Sequence, residues 1–226
     1  MHLRDLVQYL GELTENNNRA WFVMNKPRYD ILRSELLELV TGLIAGIAKF
    51  DPAVAACNPK RALFRINRDL RFARNRDPYK TTFSASITAS GLKKPSQGGG
   101  PAYYFHIDAT DRLLVACGEY MPPAGRLRAI RQHIVNDEDG FGRILRNKGL
   151  LETFGGLSPE DSLVRMPKGF ETDAPHAEQL KLKSYLAWRE TRATRLSSDA
   201  LRDLLLTDFR AGAPLVKWLR GAGPTP

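Results

Sequence analysis

Cysteine is nearly missing from this chain, and the two that occur form no pattern. Cys57 follows a run of small residues and Cys117 sits in an apolar segment, and neither has a cysteine or histidine nearby at metal-ligand spacing. No metal and no cofactor is expected, and a reducing, cytoplasmic setting is. Long apolar runs are missing too. The longest, residues 36–48, is interrupted by Glu38 and is too short for a bilayer, while Met1-His2-Leu3-Arg4-Asp5-Leu6 becomes charged at once. Neither secretion nor a membrane partner is expected. A phosphate-cradling glycine loop, a nucleophile elbow, a helix-turn-helix signal and internal repeats are all lacking, so no motif names a reaction.

What is abundant is positive charge. The 226 residues carry a formal charge of +9 with 42% hydrophobic and 26% charged residues, the profile of one large globular domain with a preference for anionic partners. From Lys60 to Lys80, eight basic residues face two acids, a net charge of +6. They are threaded through Leu63, Phe64, Ile66 and Phe72, so the stretch reads as part of a folded scaffold.

Helical spacing of Leu3, Leu6, Val7, Leu10 and Leu13 predicts a first helix. Asn16 to Asn18 then stop it and cap a second helix near Arg19. After an interruption at Lys26-Pro27, the stripe Leu32, Leu36, Leu39, Leu43, Ile47 predicts a long helix over about 29–49. The period then changes. Leu63 to Ile66, Thr82 to Thr88, Tyr103 to Ile107 and Leu113 to Cys117 read as strands of an antiparallel sheet, with a glycine-rich loop over 91–101 that reads first as a plain surface loop and second as a lid. Helices are predicted after Pro122-Pro123 and Asp137, a strand at 162–166, a helix at 175–185, and a last helix after Ser197, kinked or split by Pro214. The expected fold is α+β, a mainly antiparallel sheet covered by helices in one domain over 1–220, with a frayed tail at 221–226.

Candidate chemistry follows from strand alternation. Arg65 points opposite Phe64 and Ile66 and so toward a surface or cleft. Arg68, Asp69 and Arg71 form either an anion-holding fork or an internal ion-pair network. Tyr79 and Lys80 rim a proline turn suited to phosphate or carboxylate, or simply leading into a strand. Tyr104, His106 and Asp108 share one strand face, where His106 can act as a general base or remain a hydrogen-bonded surface histidine. Glu119, at a strand end, is the candidate partner of His106. Arg131 and Arg128, three apart, face the same cleft or solvent, and Arg126 is expected to be solvated. Lys168, held in a Pro-Gly turn, can reach an anion. Trp21, Trp188 and Trp218 are expected in the core.

Five linked motifs carry a resemblance. Asn17-Asn18-x-x-Trp21-Phe22, Phe64-Arg65-Ile66-x-Arg68-Asp69-x-Arg71-Phe72, Pro78-Tyr79-Lys80-Thr81, Tyr103-Tyr104-Phe105-His106-Ile107 and Pro167-Lys168-Gly169-Phe170 occur in order over nearly the whole chain. In this combination the sequence resembles the domain of unknown function 2461 family. The resemblance implies a single-domain α+β protein and no particular activity. The chain departs from the family pattern at Ala73-Arg74-Asn75-Arg76-Asp77.

The reading with most support is a basic pocket for a small phosphorylated or carboxylated ligand. In it Arg65, Arg68, Arg71, Tyr79, Lys80 and Lys168 hold the anion, His106 or Glu119 moves a proton, and Asp69, Tyr104 and Arg131 support them. The alternatives are a nucleic-acid partner on an extended basic face, and a structural or protein-interaction module.

Overall fold

Two amphipathic helices pack on either side of an early turn because Asn17 and Asn18 stop one and start the other. In this computed structural model, which describes residues 2–69, 77–93 and 99–223, α1 is Leu3–Glu15 and α2 is Arg19–Met24. The Asn18 side chain accepts the Trp21 N–H at 3.0 Å as the cap of α2. Helix α3, Lys26–Ala48, starts earlier than its apolar stripe suggested. Pro27 does not interrupt it. Proline lacks a donor that the first turn leaves unpaired anyway, and its fixed φ suits a helix start. A single turn, α4 (Pro59–Ala62), follows.

The sheet is β1 (Thr82–Thr88), β2 (Ala102–Asp108), β3 (Arg112–Glu119) and β4 (Tyr185–Arg192), all antiparallel neighbours in chain order. Leu63 to Ile66 is not a strand. It touches β1 through one bridge, Leu63 to Ala85, and the Phe64 N–H donates to the Ser84 carbonyl. Residues 162–166 likewise form only the Ser162 to Leu182 bridge. Most of the helix expected at 175–185 is absent: α8 is Ala177–Leu180, and the chain then enters β4.

Between β3 and β4 run α5 (Ala124–Asn136), α6 (Glu138–Leu145) and α7 (Lys148–Phe154), and the chain closes with α9 (Ser198–Arg220). Pro214 lies inside α9, which continues through it as one element. One face of β1, β2 and β3 is buried: Phe83, Ala85, Ile87, Tyr103, Phe105, Ile107, Leu113, Val115 and Cys117 join α1, α3 and the α9 residues Leu201, Leu205, Phe209, Ala213 and Val216 in one cluster. A second cluster joins Ile130, Ile134, Phe141, Leu180 and Tyr185 to Leu215 and Leu219 at the far end of α9. That helix therefore binds both halves of a single α+β domain.

Small residues set its depth. A Cβ on Gly212 would meet Cys117 Cβ and Sγ at 2.4 Å, so glycine lets α9 lie directly on β3. Asp51, after α3, accepts the Tyr103 hydroxyl at 2.8 Å and two Arg220 bonds at 3.0 and 2.6 Å. Burial alone would raise that carboxyl, but these bonds hold it below its ordinary value. The tail is docked rather than frayed as far as it is described: Ala222 is buried, and the Gly223 carbonyl accepts from Arg126.

Candidate functional site

Strand alternation sends the other face of the sheet away from the helices. The register stacks it in rows: Thr88, Ala102, Gly118 and Leu186; Ser86, Tyr104, Ala116 and Trp188; Ser84, His106, Leu114 and Glu190. All of these residues except Thr88 and Ser84 floor a cavity of about 750 Å³. Phe64, Lys93, Gly99 and Gly100 wall it beyond β1, Tyr120 and Glu160 also border it, and Arg112 with Glu190 line it beside His106. The lining is mainly apolar and aromatic, with few polar groups, as in sites for small organic molecules. Its floor requires Gly118. That residue has φ +124, and a Cβ there would sit 2.0 Å from the Tyr185 carbonyl oxygen.

His106 and Tyr104, two apart on β2, are paired: the Tyr104 hydroxyl and His106 Nδ1 lie 3.2 Å apart. His106 Nε2 is buried and has no partner among the described residues. Desolvation and the nearby Arg112 guanidinium lower the imidazole pKa from its ordinary 6.5, against the pull of Asp108 and Glu190, so the ring is neutral at pH 7. Burial likewise raises the Tyr104 phenol, eased by a hydrogen bond from Ser84. Arg112 donates to Asp108 at 2.9 Å and Glu190 at 3.2 Å. It is an internally balanced cation.

The structure divides the expected site residues. Tyr104 and His106 line the cavity; Arg65, Arg68, Tyr79, Lys80, Glu119, Arg131 and Lys168 do not. Glu119 lies on the helix-covered face of β3 and is 3% exposed, locked to Arg126 at 2.9 to 3.2 Å, so it does not pair with His106. Arg126 is correspondingly buried, not solvated. Its guanidinium also donates to the Leu219 carbonyl at 2.6 Å, closing the C-terminal end of α9. Arg131 is buried and donates to the Leu182 carbonyl at 3.0 Å, whereas Arg128 is exposed.

Tyr79 is a packing residue. Its ring stacks on Phe22 at 4.1 Å, and the Asn17 side-chain amide pairs with its backbone N–H and carbonyl, both at 3.0 Å. Two of the sequence motifs are thus joined by structure rather than by a ligand. Lys168 is exposed in its turn, where Met166 and Phe170 on either side pack on the second cluster. Arg65 and Asp69 are exposed and Arg68 half-buried, while Arg71 lies outside the described residues, as does the centre of the glycine loop. The Arg65, His106 and Lys168 convergence expected from sequence does not form.

Sequence reasoning missed several lining groups. Trp188 lies in the cavity and not the core because its register opposite Ala116 puts it on the open face; Trp188-Arg189-Glu190-Thr191-Arg192 carries too many charges to read as a strand. Burial of Tyr185 and Ala187 with exposure of Glu190 is its only alternating signal. Phe64, which strand alternation would turn inward with Ile66, forms a cavity wall, flanked by the Lys80 and Lys93 ammonium groups at 5.3 and 5.2 Å from its ring centroid. Lys93 Nζ also donates to the Leu63 carbonyl.

The model of a conserved hypothetical protein family, DUF2461, matches residues 5–218. The chain belongs to this family. No curated protein and no solved structure matches it. DUF2461 membership names no activity and leaves the chemistry to the cavity. Among the described residues of this DUF2461 protein, no cluster of three or more metal-ligating side chains occurs, and no helix is long and apolar enough to cross a membrane.

Proposed function

We propose that this protein binds a small amphipathic anion, with the apolar or aromatic body lying across the sheet floor and a carboxylate or phosphate at the Phe64 wall. The observation that carries this reading is the pairing of a mainly apolar cavity of about 750 Å³ with two ammonium groups flanking one wall. Arg65, next in the chain, is exposed and adds to the field there. The body gains by leaving water against Leu114, Ala116, Leu186 and Trp188, while the anion stays near the rim, where its desolvation is small.

The test compares aryl carboxylates with the alcohols of the same skeleton by thermal shift. Carboxylates are expected to stabilise the protein more than alcohols, and the double substitution Lys80→Gln and Lys93→Gln to erase the difference. Filling the floor with Ala116→Leu is expected to abolish both shifts. Equal shifts by acid and alcohol in the wild type would overturn the assignment of the anionic end.

A second reading is favoured by one observation: Lys60, Arg61 and Arg65 are exposed and make no ion pair with another described residue. Within six residues of one another and absent from the cavity lining, they supply positive charge that can take a polyanion such as nucleic acid. Binding of a short oligonucleotide that survives Ala116→Leu and falls steeply with salt supports this reading.

A further inference from the structure

The charges around the cavity are sorted by edge. Besides His106, whose ring is neutral, four charged side chains line it: Lys93, Arg112, Glu160 and Glu190. Arg112 and Glu190 pair with each other at 3.2 Å and offset one another. Lys93 and Glu160 belong to opposite sides of the sheet. Lys93 Nζ donates to the Leu63 carbonyl, in the segment that bridges to β1, and the Lys80 ammonium joins it at the Phe64 ring. Glu160 comes two residues after Ser158, whose backbone N–H donates to the Leu186 carbonyl at 2.7 Å along the outer edge of β4. β1 and β4 are the two edge strands, and three strand spacings put them about 14 Å apart.

The β4 side also holds rings. Tyr120 directly follows Glu119, which pairs with Tyr185 at the start of β4, and it is 54% exposed at this corner. Trp188 presents a half-buried indole to the cavity two residues beyond Leu186. Glu160 is exposed and makes no ion pair with another described residue. A carboxylate beside aromatic faces attracts an ammonium through both its charge and the ring quadrupoles, and at a rim that cation stays partly hydrated, so its desolvation is small.

We propose that the β4 edge of the cavity takes an ammonium group of the ligand, held by Glu160 with Tyr120 and Trp188. The ligand is then an elongated zwitterion, with its carboxylate or phosphate at the Phe64 wall, its apolar body on the floor and an alkylammonium at the far edge. The inference rests on the proposed function and adds the second charged group of the ligand. An α-amino acid carries both charges on one carbon and reaches one edge. An ω-amino acid with an aryl or long alkyl body reaches both.

Titration calorimetry of 4-(4-aminomethylphenyl)butyrate and 4-(4-hydroxymethylphenyl)butyrate tests it, since the two share carboxylate and body and differ in the charge of the far end. The amine is expected to bind about three- to tenfold tighter at low salt, and the preference to shrink as salt is raised. Glu160→Gln keeps the shape of an exposed side chain, so it should bring the ratio close to one while leaving the affinity of the alcohol unchanged. Tyr120→Leu, also at an exposed position, should lower the ratio part of the way, and no change there removes that ring from the site. Equal affinities of amine and alcohol in the wild type overturn the cationic end and leave the proposed function standing. A preference that survives Glu160→Gln in full overturns the assignment to that carboxylate. Binding of neither compound overturns the proposed function and the inference with it.

Discussion

Arg126 holds a helix end from the side. Its guanidinium bridges Glu119 on β3 and the Leu219 carbonyl of α9, and the two charged side chains are 3% and 4% exposed. Removing one partner strands the other as a buried charge, so Glu119→Leu should lower stability in urea by about 3–5 kcal/mol, far beyond a surface change. A loss below about 1 kcal/mol would show that water reaches the pair. His106 gives the pH counterpart. Its folded pKa lies below the ordinary 6.5, so the folded state binds the proton less readily than the unfolded chain. The stability tied to the neutral ring is present above the unfolded value and is lost as pH falls through it toward the folded value. Wild type should therefore lose ground to His106→Gln as pH is lowered from about 7.5 to about 5, read from paired thermal melts. A gap that is constant with pH would mean that the ring titrates as it does in water.

Elements in this fold are joined by a few specific devices. Asn17 joins the turn after α1 to the turn before β1 by pairing with both backbone groups of Tyr79. Asn17→Ala leaves a half-buried N–H and carbonyl unpaired there, and is expected to cost about 1–3 kcal/mol and to loosen the Phe22 and Tyr79 stack. Hydrogen exchange of the Tyr79 amide should report it first. Two glycines separate backbone need from packing need. Gly212→Ala forces a Cβ to 2.4 Å from the Cys117 side chain on a buried strand and should destabilise by about 1–3 kcal/mol. Gly46→Ala meets only the far end of Leu206, at 2.5 Å, and gains about 1 kcal/mol of helix propensity, so its net effect should be near zero. Similar losses in the two variants would show that Leu206 cannot move aside.

At the scale of the whole molecule, the longer helices and the first three strands were legible because their periodicities of 3.6 and 2 are clean, as in α1 and in Tyr103 to Ile107, whereas the short α4, α7 and α8 were not. β4 was not, since its open-face residues and rim charges hide the alternation. The site was legible only in part. Tyr104 and His106 could be placed on one strand face by counting, but whether an arginine or glutamate joins them depends on which face its own element turns outward. Glu119 and Arg131 turned inward. A run of charge likewise gives no sign of whether it faces a cavity or solvent: Arg65 is exposed and absent from the lining, next to the wall that Phe64 supplies. Arg65→Ala should accordingly leave the melting temperature within about 1 °C, since exposed substitutions act by about 0.5 kcal/mol or less, and the proposed polyanion contact would add a weaker oligonucleotide retention at low salt.

Because α9 touches both hydrophobic clusters, neither is complete before residues 201–219 have joined it. During synthesis the strands emerge with their apolar face uncovered and wait for a helix made after all of them. Translation speed between β3 and α9, and chaperone supply during that interval, should therefore govern how much of this protein reaches its folded form.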